Sequence, residues 1–108
     1  MEIVVRSLFV MPPSYIFEGI VLSGQITIGQ RVRIYSPLSY FDARVRGVEI
    51  ERKIVPRGER GQTVALMFDG IDLTKVSDGF TTEKDSFAVA VNSLTIRDTP
   101  KMWWQFWR

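Results

Sequence analysis

Between Gly47 and Ile71 the chain reads GVEIERKIVPRGERGQTVALMFDGI, a strand, a charged loop and a second strand. Val48 and Ile50 alternate with Glu49 and Glu51, the two-residue period of a strand with one dry face and one wet face. Pro56, Gly58 and Gly61 punctuate a basic connection, where the backbone must turn. Thr63–Phe68 is apolar almost throughout, which predicts a strand covered on both faces. Asp69-Gly70 then forces a turn.

The same grammar runs along the rest of the chain. Ile3–Met11 reads as a first strand closed by Pro12-Pro13-Ser14. Tyr15–Leu22 follows, with Phe17, Gly19 and Val21 on one face; Gly19 predicts a bulge or a close crossing of backbones. Ser23-Gly24 and Gly29-Gln30 turn the chain through Gln25–Ile28 into Arg31–Tyr35, where Val32 and Ile34 face inward. Ser36–Asp42 reads as a loop whose Leu38, Tyr40 and Phe41 fold back over an end of the structure. In Ala43–Glu51 the inward phase changes from Val45 to Val48, so a β-bulge, one extra residue in the strand, is expected at Gly47. Asp72–Asp78 reads as a single helical turn, and Ser86–Ile96 as the last strand, with Phe87, Val89 and Val91 on one face and Ala88, Ala90 and Asn92 on the other. Short strands at regular spacing, separated by glycine turns, indicate an all-β antiparallel barrel or sandwich. No linker or internal repeat divides the chain.

RDTPKMWWQFWR breaks the pattern. Pro100 suits the first position of a helix capped by Asp98 or Thr99. Trp103, Phe106 and Trp107 then share a face, with Trp104 beside it. Two turns are unstable unless docked. Residues 100–108 are therefore expected as a tail that plugs the barrel or seals a homodimer. The other uses are a peptide offered to a partner protein, or a weak membrane-surface anchor.

With 108 residues and neither cysteine nor histidine, the sequence supplies one domain and no ordinary zinc or copper site. No metal and no cofactor are expected. Every apolar run is interrupted well short of a membrane span. MEIVVRSLFVMPPS holds Glu2 and Arg6 in its apolar part, so it reads as a strand rather than a signal peptide, and a cytoplasmic location is expected. Ten of the fourteen basic residues are arginine, the type suited to bidentate phosphate contacts. Residues 31–61 hold eight basic against four acidic side chains, whereas residues 62–100 hold three against six. There is no GxxxxGK[ST] motif, and Asp69 and Asp72 read as turn formers. No enzyme activity is expected.

The 47–71 stretch resembles the second domain of translation GTPases, nearest that of elongation factor Tu. A GVE strand, an Arg-Lys pair, a glycine-containing loop and an apolar strand ending in Gly-Ile carry the resemblance. FEGIVLSGQITIGQRVRIYSP agrees through Gly19, Gly24 and Gly29, as do Val76 and Gly79 downstream. The resemblance covers roughly residues 15–80. It implies a small closed antiparallel β-barrel over residues 1–99, standing alone without its GTPase domain.

It also implies a non-enzymatic module that docks on RNA, as tRNA, rRNA or the ribosome, or on a translation partner such as a separately encoded GTPase. In elongation factor Tu the glutamate of the GVE strand contacts the terminal adenosine of aminoacyl-tRNA, and Glu49 takes that position. The family's asparagine in the following strand is Thr63 here. Arg44, Arg46, Arg52, Lys53, Arg57 and Arg60 are the candidate phosphate contacts beside Glu49. The alternative is a protein–protein adaptor or homo-oligomer that uses Trp103, Trp104, Phe106 and Trp107 as its contact surface.

Overall fold

The computed structural model describes residues 1–81 and 88–100. Among the described residues eleven strands run in chain order: β1 Glu2–Met11, β2 Ser14–Ser23, β3 Gln25–Thr27, β4 Arg31–Tyr35, β5 Tyr40–Arg44, β6 Gly47–Ile50, β7 Lys53–Ile54, β8 Arg57–Glu59, β9 Thr63–Asp69, β10 Phe80–Thr81 and β11 Ala88–Asp98. A 3-10 segment, Leu73–Gly79, precedes β10, and its Asp72 cap accepts from the Thr74 N–H at 3.1 Å. The helical turn expected there is present.

The main sheet follows the antiparallel path β5-β4-β11-β1-β2-β9-β6-β7, with β10 on β11, and a small β3–β8 sheet lies beside it. The two flanks of this path are joined by the chain itself. β5 ends on β4, and only Val45 and Arg46 separate it from β6. The Val45 N–H donates to the Gln30 carbonyl at 3.0 Å, and the next N–H, from Arg46, donates to Met67 of β9 at 2.8 Å. The curled sheet is thereby brought round on itself as the expected β-barrel.

That change of partner explains the phase shift. Val45 and Val48 are both buried while Arg46 is exposed. The extra residue expected at Gly47 is therefore not a bulge within one ladder. It is the step at which the strand leaves β4 and joins β9.

Inward residues fill the barrel: Leu8, Phe17, Ile34, Val48, Leu66, Phe68, Leu94 and Ile96 are fully buried. Phe17 and Phe68 meet edge to face, with centroids 5.3 Å apart and planes at 84°. Such a pair adds about 1 kcal/mol beyond its buried area. Gly19 faces Val5, and Glu18 faces Ser7, so Arg6 is an extra residue in β1 opposite the glycine. Here the expected crossing of backbones is present, because a Cβ on Gly19 would run into the Val4 carbonyl.

Four further sequence expectations need correction. Ser36–Asp42 is a turn followed by β5, not a loop closing the barrel; Phe41 is buried, but Leu38 is 87% exposed. The Asp78 carboxylate accepts from the Ser36 hydroxyl at 2.6 Å and the Leu38 N–H at 2.7 Å, which pins the turn with Leu38 outward. β9 is dry on one face only: Val64, Leu66 and Phe68 are buried, Ala65 and Met67 half-buried, and Thr63 exposed. The connection from Arg52 to Arg60 contains β7 and β8, formed because Glu51 and Arg52 make a two-residue hairpin turn at φ 51° and 65°. In β11 the alternation breaks between Ala90 and Leu94, where its register against β1 shifts. The tail beyond Pro100, and residues 86 and 87 of the expected last strand, lie outside the described residues.

Gly19→Ala is expected to cost about 2 kcal/mol, because the carbonyl it meets belongs to a paired strand. Thermal unfolding would show a Tm fall of roughly 8–16 °C. Gly29→Ala, with φ +87° but open space around it, should cost about 1 kcal/mol. Equal losses at the two sites would contradict the close backbone approach.

Candidate nucleic-acid interface

Register places Glu49, Ala65 and Glu18 in one row across β6, β9 and β2. All three lie on the outward phase of their strands. Adjacent strands are about 4.8 Å apart, so the two glutamate backbones stand about 10 Å apart with a methyl group between them. A small residue flanked by two long ones leaves a gap. The resulting groove has a volume of about 290 Å3 and is lined by Glu18, Glu49, Glu51, Arg52, Thr63, Val64 and Ala65. The hairpin turn supplies Glu51 and Arg52, since both sit at its left-handed corner.

Three carboxylates and one guanidinium line this groove, and among the described residues none of the four is in an ion pair. Its lining is rich in hydrogen-bond acceptors. Hydroxyl and amine donors, such as ribose hydroxyls and the exocyclic amine of a base, match it, whereas a phosphate would meet repulsion from its carboxylate walls.

The structure separates the seven sequence candidates. Glu49 and Arg52 share the acidic groove, and Lys53 follows in β7 opposite Ile50. Arg57 lies on β8, its Nε 3.5 Å from Glu59, and Arg60 lies in the turn between β8 and β9. Arg44 and Arg46 line a different groove, in which Arg44 donates to the Gly29 carbonyl at 2.8 Å and Arg46 approaches Asp69 at 3.8 Å. Trp103, Trp104, Phe106 and Trp107 lie outside the described residues. Glu18 escaped the sequence reading because its role comes from register: only pairing across Ala65 sets it opposite Glu49.

Beside Arg44 the outer face of β4 and β5 holds a tight charge pair. Arg33 donates to both oxygens of Asp42, at 2.7 and 3.2 Å, and its guanidinium lies 4.1 Å from the centre of the Tyr40 ring. The Arg33 hydrogen bonds hold the Asp42 carboxyl below its ordinary pKa, and the same contact raises that of Arg33.

Translation elongation factor SelB from Methanococcus maripaludis, in its apo form, superposes with a TM-score of 0.64 over 91% of this chain, at 12% identity. The fold is a translation-factor β-barrel. This chain spans 18% of the length of that factor. No protein-family model matches the sequence, and no curated protein matches it. Among the described residues, no helix of the barrel is long and apolar enough to cross a membrane, and no cluster of His, Cys, Asp or Glu is placed to hold a metal.

Because its folded-state pKa is depressed, Asp42 stabilises the barrel above the ordinary carboxylate value of 3.8 and loses that contribution as the pH falls through the lowered folded value. Asp42→Asn should cost about 0.5–1 kcal/mol at pH 7. Tm measured against pH should show the gap from wild type closing below pH 3.8. A gap that is constant with pH would mean the Arg33 pairing contributes nothing.

Proposed function

We propose that this barrel is a non-enzymatic RNA-binding module of the translation apparatus. In this reading the Glu18–Ala65–Glu49 groove receives the unpaired end of an RNA strand. Glu49 and Glu18 accept hydrogen bonds from ribose hydroxyls or a base edge, and Thr63 offers a hydroxyl beside them. Arg52 and Lys53, with Arg57 and Arg60 beyond them, meet the flanking phosphates. The observation that carries the reading is the gap over Ala65, which sets the glutamate of the GVE strand at the wall of a cavity with Arg52 at its rim. The resemblance to elongation factor Tu supports the same use of Glu49, and transfer RNA is the substrate it favours. A GTPase encoded on another chain would then act with the barrel in trans, in the cytoplasm.

Fluorescence anisotropy with labelled tRNA over a salt series tests this. Binding should be measurable at low salt and weaken steeply as salt rises. Arg52→Ala combined with Lys53→Ala should reduce the slope of log affinity against log salt by about 2. Glu49→Ala should lower affinity about tenfold and leave that slope unchanged, because it touches no phosphate. Absence of binding at low salt, or full affinity in Glu49→Ala, would refute the reading.

A further inference from the structure

Beyond Arg46 the two strands that this residue joins move apart, leaving a seam in the barrel wall. The seam is a groove of about 680 Å3. One wall is Tyr40 to Arg44 in unbroken succession, and the other is Asp69 to Asp72 with Lys75. A sheet face would present every second residue; only an edge presents all five. β5 is the end of the strand path, and among the described residues its backbone has no ladder on the side away from β4. Such an edge offers a row of N–H and C=O groups ready to pair with another extended chain.

Charge decides what that chain carries. Asp42 is committed to Arg33, and Asp72 to the Thr74 N–H and hydroxyl. Asp69 is shared between the Ser14 hydroxyl at 3.3 Å and Arg46. Lys75 acts on the still-charged Asp72 and offsets it. Arg44 has no carboxylate partner among the described residues, and Arg31, directly opposite it on β4, has only the through-space pull of Asp42, which is already paired with Arg33. With Asp42, Asp69 and Asp72 offset by Arg33, Arg46 and Lys75, the charge left over is positive and lies on the β5 wall, at Arg44 and Arg31.

We infer that this seam is a β-strand docking site for an extended acidic segment of a partner protein. The segment pairs with the β5 edge through its backbone and sets a carboxylate against Arg44. The edge is about 17 Å long, enough for a five-residue ladder. The site is independent of the RNA reading, because it shares no lining residue with the Glu49 groove.

The test is an NMR titration of the isotope-labelled full chain with a blocked peptide of alternating valine and glutamate, about eight residues long. Amide shifts should move at Tyr40–Arg46 and Asp69–Lys75 but not at Glu49 or Thr63. Two N-methylated versions, one methylated on every valine and one on every glutamate, separate pairing from mere charge. One should lose about tenfold in affinity and the other should lose little, since alternate residues point to opposite sides of a strand. Arg44→Glu should weaken the acidic peptide about tenfold and favour a valine–lysine version instead. Lys75→Glu makes the same test from the opposite wall if Arg44→Glu fails to fold. No shift at β5 up to millimolar peptide, equal response to both methylated versions, or shifts at the seam produced by an RNA oligonucleotide and not by the peptide would each overturn the proposal.

Discussion

The barrel depends on two successive backbone hydrogen bonds that point to different strands. Val45 is still tied to the start of β4, and Arg46 is already tied to β9. Ile28 and Gly29 make a second step of this kind, their successive N–H groups donating to the Pro56 carbonyl at 3.2 Å and the Val45 carbonyl at 2.8 Å. Much else follows from the step at Val45 and Arg46: the change of inward phase, the placing of Glu49 beside Ala65, and the seam that opens on the far side of Arg46. A strand that kept one partner throughout would leave an open sheet with two long edges, the arrangement most exposed to wrong pairing.

How charge is arranged follows the same geometry. Glu2 with Arg97, and Asp42 with Arg33, pair at 2.7 Å across neighbouring strands of the outer face, where they neutralise one another. Around the switch the pairing thins out. Arg31 faces Arg44, and Glu49 and Glu18 flank a methyl group, so like charges stand opposite or near each other with no ion pair among the described residues to relieve them. Like charges placed this way cost stability in the free protein. Both candidate surfaces lie where this cost is left standing, and complementary charge on a ligand would offset it.

Period-2 alternation made the strands legible, because it reports directly which face is dry. β1, β2, β4 and β9 were readable within a residue or two, and Gly19 announced its crossing because nothing larger fits against Val4. The turn at Glu51–Arg52 was not readable, since two charged residues carry none of the Asn-Gly chemistry that marks such a corner. Leu38 misled for the opposite reason. Its apolarity suggested burial, whereas Asp78, forty residues away, decides how the turn sits. Glu49 could be named from its motif, but its groove required knowing that Ala65 and Glu18 share its row. Register between distant strands is tertiary information, and no local pattern encodes it.

The left-handed corner carries a further consequence for anyone who would engineer this barrel. Glu51 and Arg52 both occupy backbone conformations that ordinary side chains resist, at about 1–2 kcal/mol each. Grafting Asn-Gly into the corner would relax that strain and raise thermal tolerance, yet it would strip the rim of the acidic groove of its guanidinium and one carboxylate. Robustness and recognition pull in opposite directions at these two positions, so a consensus redesign for durability would erase the feature that distinguishes this rim from bare scaffold.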